Sequence, residues 1–386
     1  MRIVTWLLAA TLFLAGVIGA SALPYRAVVA IEGLGFSTSG FSWVMMVNAG
    51  VTAVMSLVMG NLSDRMRDRR HMVLFAAGMG AAAYGLVYLV PAQWAYLLAF
   101  CLVLPLGGTL MSQALAFSRA YYDRNDPSRA AYMTSMLRTM FSVAWVVVPP
   151  LAGWIAARFT VVDVFLLAAL SHLGCTAIFL YMLRRPEALL TPIAVPKGGA
   201  PFWLLLGAWQ WVGIVGILGI RTAINLHAIV LPLAMLTDFH GTYADLGWTS
   251  GLAAALEVPF MLMWGRLALK VSKDVILIGT ALLFSAYLVA VSMAASPAAV
   301  LWLQLPNAIA TASLVSLTIT YMQEVIKGRV GLSTSLLDVV NIAAALTSAG
   351  LFGLVASKVS YVAGFEAAAA MAVVGAGALW VSRGRV

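Results

Sequence analysis

Twelve apolar segments, each about twenty residues long, run through the whole sequence with short polar gaps between them. Their approximate centres are residues 15, 50, 80, 105, 145, 172, 216, 256, 284, 310, 345 and 371. A helix of about twenty apolar residues crosses the ~30 Å hydrocarbon core of a bilayer. The segments do not alternate apolar and polar residues as barrel strands do, and backbone groups in hydrocarbon must be bonded internally. The sequence therefore predicts an all-α membrane protein with twelve transmembrane helices.

Composition and motif content limit the possible function classes. Of the 386 residues 63% are hydrophobic and 10% are charged, whereas a soluble domain carries about 25% charged residues. The net charge of +9 lies in the gaps between apolar segments, so it indicates membrane topology rather than binding to nucleic acid. The sequence contains no metal-ligand spacing, nucleophile–base arrangement or phosphate-binding loop. We therefore expect neither an enzyme nor a bound cofactor or metal ion.

Lys and Arg residues are distributed asymmetrically among the gaps. With the N-terminus in the cytoplasm, eighteen of the 23 basic residues fall on the cytoplasmic side. Two, Arg158 and Lys358, fall in outer loops, and Arg26, Arg138 and Arg221 lie within or at the edge of helices. Because basic residues are retained on the cytoplasmic side, this distribution predicts that both termini are cytoplasmic. We expect a multi-pass protein of the bacterial inner membrane.

A break rich in Pro and Gly at residues 184–201 divides the chain into two halves. We predict six-helix bundles at residues 1–183 and 202–386, joined by a cytoplasmic linker at 184–201. A partial repeat supports this division: GNLSDRMRDRR follows the second helix from Gly60, and GRLALKVSK follows the eighth helix from Gly265. Two six-helix halves are the layout of secondary transporters that bind their solute near the membrane midplane, between the repeats.

The segment GNLSDRMRDRR resembles the signature between helices 2 and 3 of the major facilitator superfamily, G-x-L-a-D-r-x-G-r-r-r. It departs from that signature at Arg67, where the family usually has Gly. The resemblance implies a fold of two six-helix bundles with a cytoplasmic latch, in which Asp64 and Arg65 act as gating residues. The alternative is that these charges serve only to set the topology.

Three longer segments, residues 115–153, 251–259 and 303–335, resemble the bacterial sugar efflux transporters of that superfamily. The resemblance implies efflux of a small polar solute, a sugar or glycoside, in exchange for protons and without a cofactor. Two alternatives remain open: an exporter of drugs or siderophore-like metabolites, and a non-transporting receptor or accessory subunit. The repeat and the charges within helices argue against the latter. We expect a monomer.

Ionisable residues inside apolar segments are costly to insert and usually face a polar cavity. We predict that Glu257 and Asp338 carry the coupled proton, with a fixed ion pair or a helix-start role as the alternatives. Arg138 is predicted to bind solute and Arg221 to gate, and His227 is interpreted as a membrane-interface residue. The rest of the predicted binding set consists of amides and one aromatic ring: Asn48, Trp145, Asn225, Gln304, Asn307 and Asn341. For each amide, helix–helix packing is the alternative.

Overall fold

The computed structural model describes residues 2–66, 68–189, 206–325, 330–356 and 359–385. Every regular element in these ranges is a helix, and twelve helices are long and apolar enough to cross a membrane. Each of the twelve predicted segment centres lies inside one of these spans. The predicted all-α fold is therefore confirmed. Most of the predicted linker, residues 184–201, falls on positions outside the described residues.

The first six spanning helices include two with π-helical turns. They are α1 (Arg2–Val28, continued by the π-helical turn Val29–Gly33), α2 (Thr38–Arg65), α3 (Arg70–Leu89), α4 (Gln93–Leu98, the π-helical turn Ala99–Val103, Leu104–Gly107 and Leu110–Asn125), α5 (Ala130–Arg158) and α6 (Asp163–Leu183).

Three of the second six spanning helices begin after a polar capping residue. They are α7 (Ala208–Leu236), α8 (Tyr243–Leu267), α9 (Lys273–Ser292), α10 (Pro297–Trp302 and Gln304–Val325), α11 (Val330–Val355) and α12 (Tyr361–Ser382). The side chains of Thr242, Ser296 and Ser360 accept hydrogen bonds from the first turns of α8, α10 and α12. Such caps satisfy backbone N–H groups that have no partner inside the helix.

The chain forms two compact units that do not divide strictly by sequence order. Unit 1 comprises Met1–Phe36 and Gly50–Pro196, and unit 2 comprises Ser37–Ala49 and Lys197–Val386. In unit 1, α1 packs against α5 and α6, and α3 packs against α6. In unit 2, α7 packs against α11 and α12, and α9 packs against α12. The same order of contacts in both units is what an internal six-helix repeat produces.

Small residues allow the closest helix contacts in both units. A Cβ atom added at Gly16 of α1 would lie 2.7 Å from the carbonyl oxygen of Phe141 on α5. A Cβ atom added at Gly375 of α12 would lie 2.7 Å from the carbonyl oxygen of Gly216 on α7. In a bilayer, helices associate through close van der Waals contact because lipid already solvates their apolar surfaces. These contacts hold α5 and α7, two helices with predicted site residues, against their neighbours.

Candidate functional site

Two predicted binding residues of unit 1, Arg138 and Trp145, lie on one face of α5. They are seven residues apart, which is about two helical turns. Arg138 is exposed, whereas the Trp145 ring packs against Gly19 of α1, whose added Cβ atom would approach it to 3.2 Å. The Nε1–H group of Trp145 is buried and has no hydrogen-bond partner.

In unit 2, two pairs of predicted residues share helix faces. Arg221 and Asn225 lie one turn apart on α7 and are half-buried, and the Nε atom of Arg221 is buried without a hydrogen-bond partner. Asp338 and Asn341 lie one turn apart on α11, where Asp338 is exposed and Asn341 is half-buried. Since α7 packs against α11, each of these neighbouring helices presents one charged group and one amide.

The first part of α2 belongs to unit 2 and is joined to α11 by a hydrogen bond. The Ser42 hydroxyl donates to the carbonyl oxygen of Ala349 at 2.6 Å. Asn48, the predicted binding residue on this part of α2, is half-buried and already interacts with another group.

Glu257 lies near the middle of α8, fourteen residues after Tyr243 and ten before Leu267. It is half-buried, and its carboxyl group lies beside the hydroxyl of Thr311 on α10. A nearby hydrogen bond from Trp264 Nε1 to the carbonyl oxygen of Ile309, 2.7 Å long, joins the two helices. None of the ion pairs among the described residues includes Glu257. The structure thus places the carboxyl group beside a neutral polar partner.

Four buried polar side chains form a continuous hydrogen-bonded chain inside unit 2. His227 Nε2 on α7 lies 2.8 Å from the hydroxyl of Tyr287 on α9. Gln304 Nε2 on α10 donates to that hydroxyl at 3.4 Å and to the carbonyl oxygen of Val300 at 2.9 Å. Asn307 Nδ2 donates to Gln304 Oε1 at 2.7 Å. The chain therefore connects three helices through groups that satisfy one another.

This buried chain corrects one interpretation and refines two others. The interpretation of His227 as a membrane-interface residue was wrong, because its ring is buried between Phe284, Tyr287 and Phe365. Gln304 is fully buried, and its amide is occupied by protein groups. Asn307 is 4% exposed, and its Oδ1 atom is buried without a partner.

Sequence reasoning missed Tyr287 and Thr311. Tyr287 lies 17 residues before Gln304, a separation that carries no pattern. Thr311 follows Asn307 by four residues, so it lies on the same face of α10, and this spacing was a usable signal.

The two predicted gating residues, Asp64 and Arg65, lie at the end of α2, and their side chains are outside the described residues. Their gating role stays a prediction. The same loop contains a described ion pair that was not predicted. The buried Arg70 guanidinium contacts Asp68 at 2.7 Å and donates to the carbonyl oxygens of Met182 and Arg185, at 2.7 and 2.9 Å. It thereby satisfies carbonyl groups at the C-terminal end of α6, which have no partner inside the helix.

The contacts with Arg70 and His71 change the pKa of the Asp68 carboxyl group. Partial burial opposes its ionisation, but hydrogen bonds from Arg70 and the positive charges of Arg70 and His71 outweigh that effect. The pKa of Asp68 is therefore below its usual value. The loop between α2 and α3 thus holds a carboxylate that stays ionised and orients a buried arginine.

Similarity to characterised sequences extends over most of the chain. It is 28% identical to Sugar efflux transporter A of Dickeya chrysanthemi, over 86% of this chain and 84% of that protein. It is 27% identical to Sugar efflux transporter B of Salmonella typhimurium, over 84% of this chain and 81% of that protein. It is 26% identical to Sugar efflux transporter C of Escherichia coli, over 84% of this chain and 82% of that protein.

Solved structures show that the fold is shared with other transporters. The peptide transporter POT in complex with sulfate matches with a TM-score of 0.80 at 13% identity, over 99% of this chain and 94% of that one. The nucleoside transporter NupG matches with a TM-score of 0.73 at 12% identity, over 98% of this chain and 99% of that one. The profile of the Major Facilitator Superfamily matches residues 5–220 and 213–385. Both halves match this profile, and the described residues contain twelve helices long and apolar enough to cross a membrane, so the chain belongs to the Major Facilitator Superfamily and is a multi-pass membrane transporter.

Proposed function

We propose that this transporter exports a sugar or a glycoside by alternating access, in exchange for protons. The observation that carries the proposal is the similarity to three sugar efflux transporters, which extends over at least 81% of each relative rather than one segment. The side chains available for binding fit such a solute, because amide, guanidinium and indole groups form hydrogen bonds with hydroxyls.

The proposed binding residues lie on α5 in unit 1 and on α2, α7, α10 and α11 in unit 2. In unit 1, the Trp145 ring packs against the apolar face of the sugar ring, its free N–H group donates to a sugar oxygen, and Arg138 supplies a fork of donors. In unit 2, the half-buried amides of Asn48, Asn225 and Asn341 contact hydroxyls, and the buried Asn307 offers its unpaired Oδ1 atom. Gln304 contributes by holding Asn307, because its own amide is bonded to protein groups.

Coupling and gating are assigned to the charged residues. Glu257 is the proposed proton carrier, since it lies at the middle of a spanning helix without an ion-pair partner among the described residues. Asp338 on α11 is the second candidate carrier. Asp64 and Arg65 gate the cytoplasmic side, and Arg221 gates the outer side. The working unit is a monomer in the bacterial inner membrane with both termini in the cytoplasm.

Transport by inverted membrane vesicles tests the proposal. With an acidic vesicle interior, we expect a labelled lactose-like glycoside to accumulate, and a protonophore that collapses the pH gradient to prevent this. A drug panel measured in parallel tests the alternative substrate class. Accumulation of drugs without any accumulation of glycosides would contradict the sugar assignment.

A Glu257→Gln variant tests the proton carrier in the same vesicles. Because the amide cannot release a proton, we expect loss of pH-driven accumulation while exchange of labelled for unlabelled glycoside continues. Glu366→Gln on α12 is the matched control, because this carboxyl group is exposed within another spanning helix. Undiminished pH-driven accumulation by Glu257→Gln would remove Glu257 from the coupling step.

A further inference from the structure

One buried oxygen atom on α10 has no hydrogen-bond partner among the described residues. It is the Oδ1 atom of Asn307, whose side chain is 4% exposed. About 90% or more of the buried polar groups in folded proteins are hydrogen-bonded, so an unpaired one marks a place where a donor is missing. The polar neighbours of Asn307 on the same face of α10 are Gln304, three residues before it, and Thr311, four residues after it.

Neither neighbour on α10 can supply the missing donor. A hydroxyl group has a single proton, and Thr311 Oγ1 donates it to the backbone carbonyl oxygen of Asn307 at 2.8 Å. Gln304 Nε2 has two protons, and it donates to the carbonyl oxygen of Val300 at 2.9 Å and to the hydroxyl of Tyr287 at 3.4 Å. The protons of both neighbours are therefore already used inside the protein.

The hydrogen bonds of the buried chain all run in one direction. Asn307 Nδ2 donates to Gln304 Oε1, and Gln304 Nε2 donates to the Tyr287 hydroxyl. Because this hydroxyl accepts from Gln304, its own proton is free to be donated to His227 Nε2, 2.8 Å away. Hydrogen bonds aligned in this way polarise and strengthen one another. The chain thus begins with an open acceptor, Asn307 Oδ1.

The direction of the chain is set by a backbone group. If the Gln304 amide were reversed, its Oε1 atom would face the carbonyl oxygen of Val300, and two acceptors would repel each other. Gln304 Oε1 is therefore directed toward Asn307. If the Asn307 amide were reversed, its Oδ1 atom would face Gln304 Oε1, which is again a contact between two acceptors. Asn307 consequently keeps its Oδ1 atom open.

An open acceptor distinguishes a hydroxyl group from groups without a polar hydrogen. A hydroxyl can donate to it, whereas an ether oxygen or a fluorine atom has no proton to donate. We propose that Asn307 Oδ1 selects the exported glycoside by accepting a hydrogen bond from one free hydroxyl of the sugar, with Gln304 as the positioning residue that keeps Asn307 in its accepting orientation. A sugar in which that hydroxyl is methylated or replaced by fluorine is rejected. The inference deepens the proposed export of a glycoside and rests on it.

Binding of fluorinated sugars to the purified transporter tests the inference. In several lactose-like glycosides each hydroxyl is replaced in turn by fluorine, and the dissociation constant of each analogue is divided by that of its parent. At one ring position we expect the analogue to bind the wild type at least about tenfold more weakly, because the buried oxygen atom stays unpaired.

Two variants assign this position to the proposed contact. Asn307→Leu removes the acceptor, and Gln304→Met frees the Asn307 amide to turn. Each variant should abolish the difference between parent and analogue at that ring position and leave the ratios at the other positions unchanged. A purely structural defect would instead weaken the binding of every analogue alike.

Thr280→Val is the matched control. It breaks another buried hydrogen bond between α9 and α10, from Thr280 to Ser313 at 3.1 Å, and should keep all the wild-type ratios. The inference is overturned, while glycoside export stands, if folded Asn307→Leu or Gln304→Met keeps every wild-type ratio, or if Thr280→Val abolishes the same difference. If the wild type binds none of the parent glycosides, the proposed function fails and the inference fails with it.

Discussion

Arg70 and Asp68 show how a short loop motif is used within unit 1. Sequence reasoning assigned the basic residues of this loop to topology and gating, yet the Arg70 guanidinium is buried and bonded to two carbonyl groups at the end of α6. Asp68 neutralises its charge and fixes its orientation through bonds to Nε and Nη2. The pair thus joins the start of α3 to the end of α6.

We predict that Arg70→Met lowers the free energy of unfolding by about 2 kcal/mol at neutral pH, because charge-assisted hydrogen bonds are lost. The pKa of Asp68 is lowered in the folded protein, so its stabilisation is present above the usual carboxyl pKa of about 3.9 and is lost as the pH falls through the lower, folded value. The difference between wild type and variant should therefore shrink in acid. Unfolding in detergent, followed by circular dichroism across pH, measures both effects.

The Arg119–Asp123 pair supplies the control for this experiment. Its side chains are 51% and 48% exposed, so solvent screens the interaction. Arg119→Met should cost less than about 1 kcal/mol. Equal losses in the two variants would contradict a structural role that is specific to Arg70.

At the level of helices, α7 and α12 pack closely against each other in unit 2. Gly216 and Gly375 face each other so closely that a side chain on either would meet the backbone of the other helix. Pairs of small residues bring helix backbones together in membranes, and this packing replaces the hydrophobic drive that acts in water. The position of α7, with Arg221 and Asn225, therefore depends on glycines that carry no chemistry.

We predict that Gly375→Ala destabilises the protein by about 1–3 kcal/mol, because its Cβ atom would lie 2.7 Å from the carbonyl oxygen of Gly216. The matched control is Gly377→Ala on the same helix, where an added Cβ atom meets nothing within 4 Å. The thermal unfolding of the two variants is compared by following the exposure of the buried Cys175 thiol. A larger loss for Gly377→Ala than for Gly375→Ala would show that this contact does not limit stability.

For the whole molecule, the two units repeat one order of helix contacts, in agreement with the partial repeat of the loops that follow α2 and α8. The first helix of each unit packs against the fifth and the sixth, and the third packs against the sixth. A repeated arrangement of six helices is compatible with many sequences, because it requires only apolar helices with small residues at the closest contacts. Alternating access in transporters with such repeats is largely the motion of one repeat against the other.

The predicted topology can be tested by cysteine labelling in a background of Cys101→Ala and Cys175→Ala. Ser128→Cys lies between α4 and α5 on the predicted cytoplasmic side, and Ala295→Cys lies between α9 and α10 on the predicted outer side; both positions are exposed. A membrane-impermeant maleimide added to intact cells should label Ala295→Cys alone. The reverse pattern would place both termini outside.

Much of the fold and part of the candidate site were predictable. The spans follow from runs of apolar residues. Glu257, Trp145 and the amides were singled out because polar groups in such runs are conspicuous, and their roles stay predictions. The sequence did not indicate which amides are occupied by protein groups. Gln304 and Asn307 looked equivalent to Asn225 and Asn341, yet they belong to a buried chain that includes Tyr287 and His227.

The sequence by itself determined the twelve spans, the expected orientation and the resemblance to sugar efflux transporters, because apolar length, loop charge and short motifs are local properties. Only the tertiary structure decided that the Arg70 guanidinium forms hydrogen bonds at the end of α6. It also decided that His227 forms a hydrogen bond with Tyr287, which is 60 residues away in the sequence. The physical reason is that a hydrogen bond needs a partner at a fixed distance and direction, and that partner is supplied by another helix.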